Sequence, residues 1–587
     1  MEALIPYIER ELDELRRHGA AFAQRYPRLA GAVPDGQPSA DPHVQRLIDA
    51  VAVLNARATR RLDDEYALFA ESLLRQLYPV YPRPFPACAI VRFSAGGSGT
   101  TAVPRGTTVC AAPVHGVTCR FRTTADVTLA DARVAAAHFE PAGADGDSAI
   151  VLALEGIAAA GPQRLRLFLN GASSFCAALR DALFLHAIGA AVNVAGRRVA
   201  LPAVPLRQAG FDADEALLPH GPRGPEPAAI LAEYFAFPAR FDFIDVDLAA
   251  LAPHAVAGAV TLRLALAGIA GDGAMAGALA PLGAEHLLTH CVPVVNLFDC
   301  AATPLTLGPE TPGGIVTPNG LAPAAHEVFA IGRVEVLPAD GTAPVRYASC
   351  YTRRADDAAS LHGRWWTVRR DERLAAVSPG HETVLALIDG AAPPVAGVVS
   401  IDITVTNRDY PTFLMPGELR GEGAAASCVV QLLRQPSMPR RVAAGRAAHW
   451  RLLAHLALAR GGLAQGDAAS LTALLALYDV AGTAVSRRQI AAVTGVRRQV
   501  ATAWLRDRHG TVQVPGVDVT VLVDPSAFAG TGLHLFAQVL DHVLAHTVQL
   551  NGFVRTVLVA ATTQEELLRC PPRNGRHLLQ ANSRRPA

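Results

Sequence analysis

The most regular pattern of apolar and polar residues runs from Asp41 to Leu77. Apolar residues recur there three or four positions apart, which is the spacing of one face of an α-helix. Asp41 and Pro42 suit the cap and the first turn, and Pro79 stops the helix because proline cannot continue its hydrogen bonds. At about 1.5 Å per residue this helix would be roughly 50 Å long. One small core seldom needs such a length, so we expect the helix to reach a partner.

The near end of this predicted helix carries an apolar stripe that we expect to form a partner interface. Its members share one helical face and are Val44, Leu47, Val51, Leu54, Ala58 and Leu62. A second helix, predicted from Pro6 to about Tyr26, repeats apolar residues at near-heptad spacing. The two helices could pack as a local hairpin or join a bundle shared with other chains, and these arrangements are compatible. Residues 31–40, with prolines and glycines, are the predicted turn between them.

After Ala87 the pattern changes to short runs in which apolar and polar residues alternate. The alternation in residues 165–169 ends at Asn170 and Gly171, which together are a turn signal. Similar runs continue to about Asp409. The middle of the chain is therefore predicted to be β-rich and sandwich-like or barrel-like.

The last part of the chain mixes helical and strand patterns. Pro436 and Pro439 mark a linker, after which helices are predicted from His449, over 470–477 and over 533–550, with a strand over 517–523. The predicted fold class is α+β and multidomain. We expect a helical N-terminal arm over 1–86, β-rich domains over 87–240 and 241–435, and an α+β domain over 436–587.

Composition narrows the class of protein. With 51% hydrophobic and 18% charged residues among 587, the chain is globular and too long for a single core. It carries 53 basic and 52 acidic residues, and this balance argues against nucleic acid as a partner. The nine cysteines form no C-x-x-C pair, which indicates reduced thiols in a cytosolic protein. The sequence shows no signal-peptide pattern and no apolar run long enough to cross a membrane, so we expect no direct membrane insertion.

One glycine-rich loop suggests a nucleotide site. Residues 271–276 match the dinucleotide-binding motif G-x-G-x-x-[G/A], whose glycines bring backbone N–H groups onto a pyrophosphate. The motif also needs an acidic residue about 20 positions further on, and none stands there. Pro281 would end the following helix early. We favour a structural loop, with a nucleotide-dependent enzyme using the Gly271 loop as an alternative.

Three histidines suggest a metal site. His534, His542 and His546 lie near one face of the last predicted helix with Asp541 beside them, and the pair four residues apart could bind zinc. No Glu follows His542, so the metalloprotease motif is absent, and partly buried helix histidines are the favoured interpretation. We predict no catalytic, cofactor-binding or metal-binding residue, and no cofactor.

Several blocks of residues resemble the TssF family of type VI secretion baseplate proteins. They follow the family's order along nearly the whole chain and lie at 6–12, 41–44, 63–66, 77–79, 210–219, 233–238, 293–298, 474–478 and 551–553. The chain departs from the family pattern at Gly552, where we expect serine, and at Pro515, where we expect arginine. These departures affect a local turn and one arginine contact.

The resemblance implies a structural wedge subunit of a contractile, phage-tail-like injection system, and not an enzyme. Family members pair as two copies with one TssG subunit, are joined to TssK adaptors and lie near TssE at the start of the sheath. The implied location is the bacterial cytoplasm, at a baseplate docked to the inner-membrane complex, where the subunit supports tube, spike and contractile sheath. A further alternative is a phage-tail-like protein that binds glycans on its β-rich domains.

Overall fold

The structure is a computed structural model that describes residues 4–26, 42–78, 81–95, 101–142, 147–158, 162–194, 197–220, 229–307, 313–350, 363–390, 395, 397–442, 450–451, 468–507, 510–547, 552–574, 577–578 and 580–581. The chain divides into two compact units. The first contains residues 1–78 with 443–453, and the second contains residues 79–442 with 454–587.

The first unit is built on two long helices, α1 (Ile5–Arg25) and α2 (Pro42–Leu77). They contact each other, and the Oγ1 of Thr59 on α2 donates a 3.2 Å hydrogen bond to Oε1 of Glu11 on α1. Ala52 and Ala56 on α2 are fully buried. Their small side chains let two helix axes approach closely. Both helices predicted from the spacing are confirmed, while the predicted turn between them lies outside the described residues.

Shorter helices belong to the second unit. They are α3 (Ser173–Asp181), α4 (Ala229–Ala236), α5 (Leu248–Leu251), α6 (Ala274–Leu279), α7 (Glu372–Val377), α8 (Ala468–Tyr478), α9 (Ala484–Ala491) and α10 (Leu533–Leu544). The helix predicted over 533–550 is α10, which ends at Leu544 and continues as a 3-10 turn over Ala545–Thr547. The helix predicted from His449 is helical at residues 450–451, and the rest of it lies outside the described residues. No described helix is both long enough and apolar enough to span a membrane.

The strands of the second unit fall into three stretches of sequence. The first stretch holds β1 (Cys88–Ser94), β2 (Thr101–Val103), β3 (Thr108–Cys110), β4 (Arg120–Thr123), β5 (Val127–Leu129), β6 (Arg133–Glu140), β7 (Ser148–Glu155), β8 (Arg164–Leu169), β9 (Ala187–Val194), β10 (Arg197–Ala200), β11 (Leu206–Gln208), β12 (Phe243–Asp247), β13 (Val260–Leu266), β14 (Leu287–Thr289) and β15 (Cys291–Val295).

The second stretch holds β16 (Phe298–Ala301), β17 (Leu305–Leu307), β18 (Gly313–Ile315), β19 (Glu327–Pro338), β20 (Val345–Ser349), β21 (Arg364–Arg370), β22 (Thr383–Asp389), β23 (Gly397–Thr406), β24 (Gly417–Gly421) and β25 (Val429–Leu432). The third holds β26 (Val493–Asp507), β27 (Gly510–Val523), β28 (Phe553–Ala560), β29 (Glu566–Arg569), β30 (Arg573–Asn574), β31 (His577–Leu578) and β32 (Gln580–Ala581).

A closed barrel forms the centre of the second unit. Its strand order is β1-β15-β4-β3-β24-β25. Alternate residues of these strands point inwards, and the buried core includes Phe93, Phe121 and Val294. Closure gives every strand two neighbours, which removes exposed sheet edges.

Two sheets inserted between β4 and β15 form a sandwich. One has the order β10-β9-β13-β7-β6 and the other β11-β12-β8-β14. They share one core, to which Leu152 on β7 and Leu262 on β13 contribute from one side and Leu167 on β8 and Ile244 on β12 from the other. The predicted boundary at residue 240 does not follow the sheets, because β12 pairs with β8 and β13 pairs with β7.

A third sheet lies between β15 and β24 in the sequence. Its order is β16-β23-β19-β20-β21-β22-β18, and β17 also pairs with β23. The last sheet has the order β31-β30-β28-β27-β26-β32, with β29 on β28, and helix α10 packs against β28. N-terminal helices, a β-rich body and a mixed C-terminal region together confirm the predicted α+β class. The division into four ranges stays a prediction.

Two asparagines join the third sheet to the barrel, and we call Asn296 and Asn407 the asparagine clamp. Asn296 follows β15 and Asn407 follows β23. The backbone N–H of Asn407 donates to Oδ1 of Asn296 over 2.7 Å, and Nδ2 of Asn296 donates to Oδ1 of Asn407 over 2.8 Å. The Arg120 N–H on β4 also donates to Oδ1 of Asn407, and Asn296 Nδ2 donates to the Arg120 carbonyl. Both clamp residues are completely buried.

A histidine completes the clamp. Asn407 Nδ2 donates to Nε2 of His326 over 3.2 Å, and Nδ1 of His326 lies 2.8 Å from the Ala322 carbonyl. Burial lowers the pKa of His326, so the ring is neutral at pH 7 and donates from Nδ1 while Nε2 accepts. Each polar atom of the clamp side chains therefore has a partner.

Replacing Asn407 by alanine is expected to destabilise the body. The change leaves the Arg120 N–H and the His326 Nε2 buried without their partners, and each such group costs about 1–3 kcal/mol. We expect the free energy of unfolding to fall by about 2–5 kcal/mol in urea denaturation followed by tryptophan fluorescence. Replacing the exposed Asn193 on β9 by alanine is the control, for which the change should stay within about 0.5 kcal/mol. Equal effects of the two substitutions would contradict a stabilising role of the clamp.

Candidate functional site

The predicted partner stripe lies on the solvent face of α2. Leu47 is 67%, Leu54 63% and Leu62 55% exposed. Val51 and Ala58 are also exposed, and Val44 is half-buried. At 3.6 residues per turn these positions lie on the side of α2 opposite the buried Ala52 and Ala56. The structure therefore places all six predicted residues on one face of α2, and five of them are exposed among the described residues.

Helix α2 has two apolar faces with different side chains. The face towards α1 is lined by alanines, which suit close packing inside the hairpin. The opposite face carries leucine and valine, which gain free energy when they are removed from water. Single exposed leucines are ordinary on protein surfaces, but a contiguous row marks a surface that meets another molecule.

Helix α1 adds apolar side chains that spacing alone did not single out as an interface. Ile5, Phe22 and Tyr26 are exposed, and the rings of Phe22 and Tyr26 lie 5.2 Å apart. The spacing of apolar residues on α1 was visible in the sequence, but the sequence did not show which face of α1 packs against α2. The first unit thus exposes apolar groups on both of its helices.

The Gly271 loop lacks the geometry of a dinucleotide site. It follows β13, whose neighbours β7 and β9 are both antiparallel to it, whereas a dinucleotide fold needs a parallel strand–helix–strand unit. Helix α6 after the loop has only six residues. Gly273 has φ −75°, an ordinary value for any residue. The loop is a structural turn between β13 and α6.

The histidines of α10 are separated by aromatic packing. His534 stacks on Phe184 with ring centroids 4.8 Å apart, and His542 stacks on Phe211 at 4.6 Å. Within the described part of the chain no group of three or more His, Cys, Asp or Glu residues is arranged to hold a metal ion. Burial, together with the nearby positive charge of Arg180, lowers the pKa of His534 to about 3.

The acidic residue beside the aromatic block has a structural place. Glu233 on α4 forms a buried ion pair with Arg240, and its Oε1 accepts a 3.1 Å hydrogen bond from the Leu217 N–H. Nearby, Arg166 on β8 makes two hydrogen bonds of 2.7 and 2.8 Å to Asp245 on β12. Sequence reasoning did not single out these arginines. The signal for Arg166 was a charged residue at a polar position of the alternating strand β8, whereas Arg240 lies in a 3-10 turn and had no such signal.

Comparisons with known proteins identify the family. The model of the family described as "Type VI secretion system, TssF" matches residues 1–577. This chain belongs to the TssF family. A relative, the type VI secretion system component TssF1 of Pseudomonas aeruginosa, is 31% identical over 609 aligned residues, which cover 94% of this chain and 96% of the relative. The family resemblance seen in the sequence is thereby confirmed.

Two solved structures share the fold of this TssF-family chain. One is a chain in the structure of the type VI secretion system TssK-TssF-TssG baseplate subcomplex, with a TM-score of 0.71 and 23% identity, covering 90% of this chain and 98% of that one. The other is a chain of the baseplate complex from the type VI secretion system, with a TM-score of 0.54 and 22% identity, covering 99% and 100%.

Replacing Gly271 and Gly273 together by alanine is expected to leave secretion activity unchanged. An added Cβ at Gly273 would lie 3.1 Å from the Ala270 carbonyl oxygen, and one at Gly271 would lie 3.4 Å from that of Ala142, so only small shifts are needed. The measurement is a secretion assay with titration calorimetry against NAD and FAD. Saturable binding by the unmodified chain that is lost in the variant would overturn the structural interpretation of this loop.

Acid is expected to destabilise the fold through His534. Its folded-state pKa of about 3 lies below the ordinary value of about 6.5, so the unfolded chain binds the proton first as the pH falls. This stability is complete above pH 6.5 and is lost as the pH falls towards 3, at about 1.4 kcal/mol per pH unit.

The H534F variant isolates this effect, because phenylalanine keeps the stacking on Phe184 and cannot be protonated. Between pH 7.5 and 5 the unmodified chain should lose about 2 kcal/mol more unfolding free energy than the variant, measured by urea denaturation. Equal losses in the two proteins would show that His534 is not the acid-sensitive group.

Proposed function

We propose that this TssF-family chain is a structural wedge subunit of the type VI secretion baseplate and acts by assembly, without catalysis. Its relative in Pseudomonas aeruginosa is a component of the type VI secretion system. A protein of the same fold forms part of a baseplate subcomplex with TssK and TssG. The disfavoured alternatives, a nucleotide site at the Gly271 loop and a zinc site at the α10 histidines, have no geometric support in the described residues.

The exposed stripe on α2 is the observation that carries this proposal. Along α2, exposed leucines lie on one face and buried alanines on the other. In this proposal the alanine face packs on α1 and the leucine face packs on another chain. We propose that a TssG-like subunit and a second copy of this chain cover the stripe in a shared helical bundle. TssK and TssE are the further partners in this proposal, with sheath and spike as indirect ones.

The location proposed is the cytoplasmic side of the bacterial inner membrane. All nine cysteines lie among the described residues and none of them forms a disulfide, which suits a reducing compartment. Burial raises the pKa of Cys119 to about 12 and that of Cys110 to about 11, so these thiols are protonated and unreactive at neutral pH.

Replacing Leu47 and Leu54 together by glutamate is expected to abolish copurification with a TssG-like subunit. Burying one leucine contributes about 1.5–3 kcal/mol, so losing two reduces affinity by at least about 100-fold. Both side chains are exposed in the free chain, so the unfolding midpoint should stay unchanged. The measurement is affinity copurification of the coexpressed pair, with a thermal melt of the same sample.

The matched control replaces Arg46 and Arg57 by glutamate. Both residues are exposed and lie on the same helix beside the stripe, and their replacement changes the charge more than the test pair does. Copurification should survive in this control. If the test variant still copurifies with its partner, or if its thermal unfolding transition disappears, the stripe is not the contact surface of a shared helical bundle.

A further inference from the structure

The longest hairpin of the C-terminal sheet extends past its neighbours. Strands β26 and β27 pair along their full length, from Val493 opposite Val523 to Asp507 opposite Gly510. Strand β28 supports β27 only from Gly516 onwards. The part of the hairpin beyond Ala501, which lies opposite Gly516, therefore extends past β28.

The other side of β26 is an open sheet edge. Among the described residues, β32 is the only strand on that side, and it pairs only with Leu505 and Arg506. From Val493 to Trp504, about twelve residues or roughly 40 Å, no described strand lies beside β26. Every second residue of such an edge directs its backbone N–H and C=O outwards.

This edge has few of the features by which proteins prevent an open edge from pairing with a strand of another chain. Residues 493–504 contain no proline and no lysine. The single irregularity in pairing lies at the base, between Val493 and Gly495. Proteins usually protect an open edge by shortening it, bulging it or placing lysine or proline in it. A long regular edge without these features is suited to receive a strand.

Side chains along the edge indicate what the strand must provide. Val500 is 84% exposed and Trp504 is 49% exposed, on the same face of the hairpin. Arg497 is exposed and Arg498 is half-buried, and they are the only charged residues between Val493 and Trp504. The edge therefore offers apolar contacts towards the tip and positive charge towards the base.

We propose that the open edge of β26 receives an extended, acidic segment of another baseplate subunit as an added β-strand. Only a polypeptide in extended conformation can satisfy a row of outward N–H and C=O groups, and its side chains then set specificity. Carboxylates opposite Arg497 and Arg498 make charge-assisted pairs, whereas a basic segment is repelled. This inference rests on the proposed assembly function, because it names a second surface of the same subunit.

Hydrogen exchange with mass spectrometry tests the edge. The full chain is compared alone and in complex with its coexpressed TssG-like and TssK-like partners. Amides within residues 495–504 that face outwards should exchange at least tenfold more slowly in the complex. If the complex forms but exchange in this stretch is unchanged, the edge inference is wrong while the wedge function stands. Loss of the complex itself would speak against the wedge function.

The variant V500K adds a lysine to the edge without disturbing the core, because Val500 is exposed. It should remove the added protection of residues 495–504 at least partly, by threefold or more. The matched control is V377K on α7, where the valine is 86% exposed on a different element. Protection that persists in V500K would overturn strand addition at this edge.

Synthetic peptides test the chemistry of the added strand. The probes are fluorescein-labelled ten-residue peptides in which pairs of valines alternate with pairs of glutamates, or with pairs of lysines, so that both faces of the added strand carry charge. Binding is measured by fluorescence anisotropy. The acidic peptide should bind the full chain at least tenfold more tightly, and reversing Arg497 and Arg498 to glutamate should invert the preference. Equal binding of both peptides would contradict an acidic partner. A concentration-dependent dimer that forms through β26, measured by light scattering, would assign the edge to a second copy of this chain instead.

Discussion

The asparagine clamp is the contact on which the arrangement of the body depends. The barrel closes around strands that are far apart in sequence, because the sandwich is inserted between β4 and β15 and the third sheet between β15 and β24. Closing such long excursions costs chain entropy. Asn296 and Asn407 stand at the two ends of the second excursion and bond to each other and to Arg120 at the start of β4. One buried set of hydrogen bonds therefore fixes three strand ends together.

Buried ion pairs anchor the third sheet a second time. Glu327 at the start of β19 accepts from Arg370 on β21 over 2.5 Å and from Arg441, beyond the barrel strands, over 2.8 Å. Glu382 accepts from Arg408 over 2.6 Å. An unpaired charge at such buried positions would cost several kcal/mol. The pair of Glu327 with Arg441 therefore ties the third sheet to the chain that follows the barrel, and the pair of Glu382 with Arg408 stabilises the sheet itself.

The two proposed surfaces use different physical principles. The α2 stripe offers apolar area, whose burial is non-directional and provides affinity. The β26 edge offers backbone hydrogen bonds, whose direction fixes the register of whatever binds there. A subunit of a large assembly gains from both, because one surface supplies binding energy and the other supplies orientation. The closed barrel and the sandwich bury cores of their own.

The sequence by itself determined the local elements and the family. The three-to-four spacing predicted α1 and α2, alternating runs such as residues 165–169 predicted strands, and separate motif blocks indicated the TssF family. These features depend on neighbours in sequence, where periodicity and proline act directly. The incomplete motif at Gly271 was also visible without a structure, because the missing acidic residue is a feature of the sequence alone, and its interpretation as a structural loop stays a prediction.

Only the tertiary structure decided which elements meet. The pairing of β4 with β15 joins residues separated by the whole sandwich, and no local pattern specifies such a partner. The boundary expected near residue 240 therefore cut through two sheets. Periodicity likewise placed Leu47 and Leu54 on one face of α2, but it could not say whether α1 covers that face, because the answer depends on the alanines opposite and on the approach of a second helix. The open edge of β26 is equally a property of pairing, since a strand becomes an edge only through the absence of a described neighbour along most of its length.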